Sequence, residues 1–163
     1  MQQKILRTGV SKHNKKIKAI AVLTSGGDAP GMNAAIRSVV RTAIYYKLKV
    51  FGIYRGYQGL LGAEFEEFQL SSVANIVQRG GTILKSSRCK DFHSKKARAK
   101  SVYNLRDHNI DALVTIGGDG TFTGAHALWT ETRFPVAGVP GTIDNDLYGT
   151  DITLLLPTNR LLC

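Results

Sequence analysis

Short apolar runs alternate along this chain with longer segments whose apolar residues recur every three or four positions. The apolar runs cover 18–25, 49–56, 110–118 and 134–142, and each has glycine at or just beyond its carboxyl end. Continuous apolar character of this kind is typical of strands buried in a parallel sheet. We therefore expect four strands at these positions.

The clearest helical periodicity lies between the first two expected strands, in 26–47. Asp28 can cap a helix there, and Pro30 fits a first helical turn, where its missing N–H is not needed. One apolar stripe follows, formed by Ile36, Val39, Val40, Ala43 and Ile44.

Three more helices are expected at 71–81, 94–109 and 121–131, while a loop rich in glycine and acidic residues follows the second strand. In the helix at 94–109 we expect Ala97, Val102 and Leu105 to face inward. Strands that alternate with helices predict right-handed βαβ units. The expected fold class is α/β, with a three-layer arrangement of a parallel sheet covered on both faces.

Composition places the chain among soluble globular proteins. It has 163 residues, 43% of them hydrophobic and 21% charged, which suits one domain of ordinary size. No apolar run approaches the roughly 20 residues that span a bilayer, and the start lacks the features of a signal peptide. Cys89 and Cys163 form neither a metal-binding spacing nor a disulfide framework. We expect a cytoplasmic protein that does not contact membranes.

The net charge of +10 leaves three interpretations open. Much of the charge lies in Lys12, Lys15, Lys16 and Lys18 and in the stretch 89–100. These runs can form a solvated surface, attract anionic metabolites or bind nucleic acid. They lack the interleaved aromatic residues that stack on bases, and no nucleic-acid motif is present, so we expect no nucleic-acid partner.

Three glycine-bearing turns each follow an expected strand: "TSGGDAPG" at 24–31, "IGGDGT" at 116–121 and "VPGTIDND" at 139–146. In a parallel sheet these turns emerge at the same edge, where ligands bind. Glycine there lets backbone N–H groups approach phosphate, and a helix N-terminus adds a favourable dipole.

Carboxylates in the same turns would repel phosphate unless a divalent cation lies between them. Asp119 could hold Mg²⁺, which prefers carboxylate, water and phosphate oxygens. A second carboxylate could accept a proton from an attacking hydroxyl, which completes a phosphoryl-transfer site. Taken singly, "GGDG" can also be a tight turn with a capping Asp, and "PGTIDND" a turn rich in Asx residues.

With these motifs together, the chain resembles the ATP-dependent 6-phosphofructokinases of bacterial type. The resemblance runs from about Lys18 to Asp151 and is carried by "LTSGGDAPGMNAAIR", "GIYRGYQGL", "RGGT", "IGGDGT" and "PGTIDNDLYGTD". It implies transfer of the ATP γ-phosphate to the 1-hydroxyl of fructose 6-phosphate in glycolysis, with Mg²⁺ as cofactor. It also implies a homotetramer in the full-length family.

The resemblance assigns three groups of site residues. Asp119 corresponds to the metal-binding residue, Asp144 to the catalytic base, and Asp146 to a supporting carboxylate. The expected nucleotide-binding residues are Gly27, Arg88, Cys89, Gly118, Asp119, Gly120 and Thr121. The expected sugar-phosphate residues are Thr142, Ile143 and Asp144, with Thr142 also placed in the catalytic group.

Two further sets of positions bear on the identity of the phosphate donor and on regulation. Pyrophosphate-dependent relatives tend to carry Asp at the place of Gly120 and Lys at the place of Gly141, so two glycines favour ATP. Arg37 and Arg41 match a pair that grips effector phosphates in allosteric members, although such a pair is also an ordinary solvated face. Leu70 falls where those members often carry another arginine, which argues against control by ADP or phosphoenolpyruvate.

The resemblance divides the chain into a basic extension at 1–17, an incomplete ATP-binding domain at 18–153 and a tail at 154–163 that does not match. We expect a fragment or a product of a changed reading frame. The alternatives are a pyrophosphate-dependent phosphofructokinase, a catalytically silent fragment that binds nucleotide, and an NAD kinase, which "PGTIDND" after "SGGDAPG" disfavours.

Overall fold

The computed structural model describes residues 16–142, 147, 150 and 153–154. Within them, five strands and four α-helices follow one another, with short 3₁₀ turns at Ser71–Val73 and Lys90–His93. None of the helices in these ranges has the length and apolar character that crossing a membrane requires. In chain order the elements are β1 Ala19–Thr24, α1 Met32–Tyr45, β2 Lys49–Ile53, α2 Gly56–Gly62, β3 Phe65–Glu67, α3 Lys95–Asp107, β4 Ala112–Gly117, α4 Asp119–Thr132 and β5 Val136–Pro140.

The strands form one sheet in the order β3-β2-β1-β4-β5. β1 pairs in parallel with both β2 and β4, and β4 pairs in parallel with β5. β3 alone among these strands runs antiparallel, against β2. The strand order changes direction at β1, because the chain adds strands first on one side of it and later on the other. Ligands bind at such switch points in open α/β sheets.

Two apolar cores cover the two faces of the sheet, which confirms the three-layer α/β class. Val22 of β1 packs with α1 on one face. Ala21 and Leu23, whose side chains point the opposite way, pack with α2, α3 and α4 on the other. The residues predicted to face inward from the third helix, Ala97, Val102 and Leu105, are buried.

The first predicted helix begins later than its sequence suggested. Gly31 adopts a left-handed conformation with φ of +91°, and α1 starts after it at Met32. Pro30 therefore precedes the helix, and the Asp28 carboxylate accepts a hydrogen bond from Ser86 Oγ at 3.0 Å. The prediction that Asp28 caps this helix and that Pro30 lies in its first turn was wrong, because the glycine ends the loop one step further on.

Two other expectations also need correction. The helix predicted at 71–81 is only the 3₁₀ turn Ser71–Val73. The segment predicted as a loop after β2 contains α2 and β3. β3 is only three residues long and lies at the edge of the sheet. It therefore shows little of the apolar–polar alternation by which a strand is recognised.

Candidate functional site

The three glycine-bearing turns meet at the carboxyl edge of the sheet, as the sequence predicted. The Ser25 amide after β1 donates to the Ile116 carbonyl of β4 at 3.0 Å. The Gly141 amide after β5 donates to the Gly117 carbonyl at the end of β4 at 2.9 Å. The turn after β4 is therefore hydrogen-bonded on both sides, and residues about 90 and 115 apart in sequence share one site.

The turn between β4 and α4 consists of Gly118 alone, in an extended conformation with φ of −98° and ψ of −160°. α4 begins at Asp119, so the first amides of the helix, which have no partner within it, face the edge of the sheet. Asp119 and Gly120 are exposed there. This is the geometry in which a helix N-terminus attracts an anion.

Thr121 holds this turn against the turn after β1. Its side chain is 3% exposed, and its hydroxyl donates to the Ser25 carbonyl at 3.0 Å. Tyr57 donates its phenol hydrogen to the Thr121 carbonyl at 2.5 Å. Burial raises the pKa of Tyr57 above its ordinary value, so the phenol stays protonated and remains a donor. The hydroxyl, the amide and the carbonyl of Thr121 thus all make hydrogen bonds within the chain, the amide with the Gly118 carbonyl at 3.0 Å.

The turn between β1 and α1 is longer and more exposed. Gly26 has φ of +88°, and a side chain added at Gly27 would meet no atom within 4 Å. Both glycines and Asp28 are exposed, whereas Ser25 and Ala29 on either side are buried. Gly27 therefore leaves its backbone open to the cleft.

The segment 79–89, which carries Arg88 and Cys89, is held on the β1–α1 unit by buried polar side chains. Asn33, which is 2% exposed, donates to the Arg79 carbonyl at 3.0 Å and accepts from the Ile83 amide at 2.8 Å. The Thr24 hydroxyl lies 3.0 Å from both Thr82 Oγ1 and the Lys85 carbonyl. Sequence reasoning missed Asn33 and Thr24 as residues that support the site. The available signal was that both residues lie inside "LTSGGDAPGMNAAIR", where only the glycines had been interpreted.

The turns and this segment surround a cleft of about 810 Å³. Part of the lining is polar and includes the glycine turns and the carboxylates of Asp28 and Asp119. Another part is the rear wall, which we define as Tyr57, Phe92 and Gly124. The rings of Tyr57 and Phe92 stack with centroids 4.0 Å apart and planes 17° apart. All the predicted nucleotide-binding residues line this cleft: Gly27, Arg88, Cys89, Gly118, Asp119, Gly120 and Thr121.

The sugar side of the predicted site is only partly described. Thr142 lines the cleft, and a side chain at Gly118 would lie 3.6 Å from its Cβ. The Thr142 carbonyl accepts a hydrogen bond from Thr153 Oγ1 at 3.0 Å. Ile143, Asp144 and Asp146 lie outside the described residues, so their roles stay predictions.

The predicted effector pair lies on α1, away from the cleft. Arg37 is half-buried and donates from Nη1 to the Val73 carbonyl at 2.5 Å, while Arg41 is exposed. Leu70, at the place of the missing arginine, is 48% exposed. Arg37 therefore already binds a backbone carbonyl of the chain itself.

The donor set of the cleft fits a magnesium ion shared with phosphate. In the described ranges, no group of three or more His, Cys, Asp or Glu side chains converges to hold a metal alone. Asp119 supplies one carboxylate beside the helix N-terminus. Mg²⁺ is commonly bound by one or two carboxylates, with phosphates and water completing its shell.

Comparison with known proteins agrees with this geometry. The family model described as "Phosphofructokinase" matches residues 19–158. The ATP-dependent 6-phosphofructokinase of Clostridioides difficile is 60% identical over 138 residues, which are 85% of this chain and 43% of that protein. The ATP-dependent 6-phosphofructokinase 2 of Bacteroides thetaiotaomicron is 58% identical over 138 residues, which are 85% of this chain and 42% of that protein.

Solved structures show the same relationship. A T-state structure of Pichia pastoris phosphofructokinase superposes with a TM-score of 0.79 and 40% identity, over 89% of this chain and 17% of that one. The chain thus spans less than half the length of the curated relatives it matches. Since the family model matches well over half of its residues, the chain belongs to the phosphofructokinase family.

Proposed function

We propose that this chain forms the nucleotide-binding part of an ATP-dependent 6-phosphofructokinase, which transfers the γ-phosphate of ATP to the 1-hydroxyl of fructose 6-phosphate. The observation that carries the proposal is the cleft between the turns after β1 and β4, which joins a phosphate-binding edge to an apolar rear wall. The names and identities of the relatives support the reaction. The reaction is a step of glycolysis, and we expect it in the cytoplasm.

The glycine turns of the cleft bind the phosphates in this proposal. The amides at Gly27 and at the start of α4 donate to phosphate oxygens, and Arg88 neutralises part of their charge. Asp119 holds Mg²⁺, whose chemistry is to screen the phosphate charge that develops during transfer. Thr121 keeps the two turns together through its bond to Ser25.

The sugar side supplies the acceptor. Asp144 takes the proton of the 1-hydroxyl, a step that a positioned base accelerates by about 10²–10⁴-fold. Asp146 supports Asp144, and Thr142 with Ile143 contacts the sugar phosphate. These assignments rest on the resemblance of "PGTIDND" and on the position of Thr142 next to Gly118.

The space around Gly120 supports ATP as the donor. A side chain added there meets no atom within 4 Å and would project into the cleft. A side chain at Gly141 would lie 3.3 Å from Ile116 and 3.4 Å from Leu154, in tighter contact than most real side chains. Glycine at 120 therefore leaves the cleft open for a nucleotide, which is larger than pyrophosphate, whereas glycine at 141 avoids a tight contact with Ile116 and Leu154.

Assembly and regulation are proposed from the family alone. We expect a homotetramer for a full-length protein. Leu70 and the bond from Arg37 to Val73 argue against an effector site of the usual kind at Arg37 and Arg41.

A chimera tests the reaction. The 138 residues of the Clostridioides difficile relative that match this chain are replaced by those of this chain, and fructose 1,6-bisphosphate formation is followed in a coupled assay. We expect ATP-dependent activity within about tenfold of that relative, because the cleft residues are complete. An inactive but folded chimera would contradict the proposal.

Two controls sharpen this experiment. Asp144→Ser in the chimera should lower kcat by about 10²–10⁴-fold and leave ATP affinity unchanged. The 163-residue chain alone should bind nucleotide without detectable sugar phosphorylation, since it spans 43% of that relative and orientation is worth about 7–11 kcal/mol of barrier. Robust turnover by the chain alone would overturn that part of the account.

A further inference from the structure

The end of α1 exposes two neighbouring aromatic side chains. Tyr45 is 79% exposed, the highest value among the large hydrophobic side chains of the described residues, and Tyr46 is 67% exposed. Their rings meet edge to face, with centroids 5.3 Å apart and planes at 84°. The pair therefore forms one apolar ridge on the surface, unlike the single exposed apolar side chains that are ordinary on soluble proteins.

The backbone that carries this ridge is closed by hydrogen bonds. Successive amides at 46–48 donate to carbonyls at 42–44, with distances between 2.9 and 3.1 Å. Leu48, at the end of this turn, packs against the core under α1. The rings are thus presented on a fixed turn, so a ligand that binds them loses little affinity to ordering of the backbone.

Lysines surround the ridge. Lys47 follows Tyr46 directly, and Lys49 begins β2 two residues later. The Lys49 amide donates to the Lys18 carbonyl at 2.9 Å, because parallel pairing brings the start of β1 to the same place. All three lysines are exposed. We call these five residues, Lys18, Tyr45, Tyr46, Lys47 and Lys49, the tyrosine patch.

The positive charge of the tyrosine patch is only partly balanced. Lys49 pairs with Glu67 at 3.7 Å, and both side chains are exposed. Asp111 lies beside Lys18, but its carboxylate accepts from the Lys18 backbone amide at 2.8 Å. The ammonium groups of Lys18 and Lys47 make no ion pair within 16–142. A partner that brings carboxylates therefore meets complementary charge here.

The tyrosine patch lies at the opposite edge of the sheet from the cleft. Lys18 precedes β1, and the first glycine turn of the cleft follows it. β1 is six residues long, which is about 20 Å for a strand that rises about 3.3 Å per residue. None of the five residues lines the cleft. A ligand of the tyrosine patch is therefore distinct from a nucleotide bound at the glycine turns.

The chemistry of the tyrosine patch favours one class of occupant. A second copy of the chain would set lysines against lysines, which is unfavourable. Single-stranded nucleic acid stacks its bases on ring faces, whereas these two rings stand perpendicular to each other. Membrane-binding helices present a long apolar face, but the apolar side of α1 is buried in the core. An aromatic centre with a polar rim is instead the anatomy of a protein–protein interface.

We propose that the tyrosine patch is a docking surface for an acidic segment of another protein. Apolar side chains of that segment pack beside the ring pair, and its carboxylates pair with Lys18, Lys47 and Lys49. Tyrosine is among the residues that carry most of the energy of such interfaces, whereas charges at the rim set the association rate and its salt dependence. Docking there requires no nucleotide and leaves the cleft unchanged.

A glutamate-rich peptide that carries leucines tests the ridge. Fluorescence anisotropy of the labelled peptide measures its binding to the 163-residue chain, with an expected Kd on the order of 10–100 μM. Tyr45→Ser with Tyr46→Ser should weaken binding about tenfold. Tyr103→Ser is the matched control, because Tyr103 is 68% exposed on α3, and it should change nothing. An equal loss in the control, or no loss in the double variant, would overturn the proposal.

Two glycine variants test the charge without disturbing the fold. Lys47 and Lys85 are both exposed and both adopt a left-handed backbone, with φ of +60° and +58°, so glycine is tolerated at each position. Lys47→Gly should weaken the peptide about threefold to fivefold and reduce the salt dependence of binding. Lys85→Gly, outside the tyrosine patch, should do neither. The same behaviour in both variants would contradict a role for the lysine of the patch.

Other probes test the identity of the occupant. A peptide of glutamate alone should bind at least about tenfold more weakly, because it offers no apolar group to the rings. Oligouridylate and vesicles of phosphatidylglycerol should bind more weakly than the peptide with leucines, and equally to wild type and Tyr45→Ser/Tyr46→Ser. Equal binding of the two peptides would reduce the patch to a solvated basic surface. Tighter, tyrosine-dependent binding of RNA or vesicles would assign it to that partner, and either result overturns the proposal.

ATP titration of the same variants separates this surface from the cleft. Tyr45→Ser/Tyr46→Ser should bind fluorescent ATP as the wild type does, since the substituted residues lie at the opposite edge of the sheet. A matching loss of ATP and peptide affinity would mean that the substitutions disturb the whole fold, and would remove the support for a docking surface. A chain that binds the peptide through its tyrosines but binds no ATP would uphold the tyrosine patch and refute the proposed function.

Discussion

The turns that follow β1 and β4 are similar in sequence but differ in length and conformation. Between β1 and α1 lie seven residues, 25–31, all of them exposed except Ser25 and Ala29. Between β4 and α4 lies only Gly118, and the next helix begins at once. The longer turn offers a loop of backbone to the cleft, whereas the shorter one offers a helix end.

Glycine is consequently needed in the two turns for different physical reasons. A side chain at Gly117 would come within 2.4 Å of both the Ser25 carbonyl and Thr121 Oγ1. A side chain at Gly27 would meet nothing within 4 Å. Gly117 lets the two turns pack together, and Gly27 keeps a path open for a ligand. The same residue type thus serves packing in one turn and access in the other.

The largest expected effect comes from Gly117→Ala. Because its new methyl group has no room, the turns must separate, which costs about 1–3 kcal/mol of the free energy of unfolding. Chemical denaturation measures the loss, with Gly27→Ala as the matched control that should unfold as the wild type does. Equal stability of the two variants would erase the proposed difference between the turns.

Gly120→Asp tests the helix end as a donor gate. The new carboxylate would project into the cleft near the phosphates, where like charge is unfavourable. We expect a loss of ATP affinity of about tenfold or more and a much smaller loss for pyrophosphate, both measured by titration calorimetry. A similar loss for the two donors would show that Gly120 does not distinguish them.

Gly27→Ala tests access in the longer turn. The added methyl group stands in the open cleft, so ATP should bind about fivefold to tenfold more weakly while the midpoint of unfolding stays unchanged. Titration with fluorescent ATP measures the change in affinity. Undiminished ATP affinity would mean that ligand does not pass over Gly27.

Thr121→Val tests the contact between the turns. The substitution keeps the shape of the side chain but removes the hydrogen bond to the Ser25 carbonyl, at a cost of about 1 kcal/mol. Thermal unfolding should report this modest loss, and Thr123→Val, at an exposed position of the same helix, should not. A Thr121→Val chain as stable as the wild type would show that this hydrogen bond does not stabilise the fold.

The smallest expected effect is a pH dependence at the far end of α4. Because Arg98 lowers the pKa of Glu131 in the folded chain, the pair stabilises fully above the ordinary glutamate pKa of about 4.3. That contribution is lost as the pH falls through the lower folded value. Urea unfolding at pH 6, 4 and 3 should therefore show a smaller acid-induced loss in Glu131→Gln than in the wild type. Identical profiles would contradict the direction of the shift.

The sequence was sufficient for the features that local patterns encode. Continuous apolar runs predicted β1, β2, β4 and β5, and the rule that parallel strands end at one edge correctly placed their turns together. The start of α1 was mistaken because the conformation of Gly31 depends on its surroundings. The sequence gives no local sign of such a choice.

Long-range contacts account for what the sequence did not reveal. The Arg98–Glu131 pair joins residues 33 positions apart, and Asn33 holds a segment about 50 positions away. Neither spacing forms a motif. Thr121, predicted to bind nucleotide from its place in "IGGDGT", also bonds through its hydroxyl to Ser25, a contact that the motif does not reveal.

The central claim is that the edge between β1 and β4 binds a magnesium nucleotide through its backbone amides. Amide chemical shifts of the ¹⁵N-labelled 163-residue chain, titrated with ATP and Mg²⁺, test it most directly. The account predicts saturable shifts that are largest at Gly26, Gly27 and 118–120, with little change along β5, which lines a separate cavity of about 490 Å³. Absence of saturable shifts at these glycines, or larger ones along β5, would contradict it.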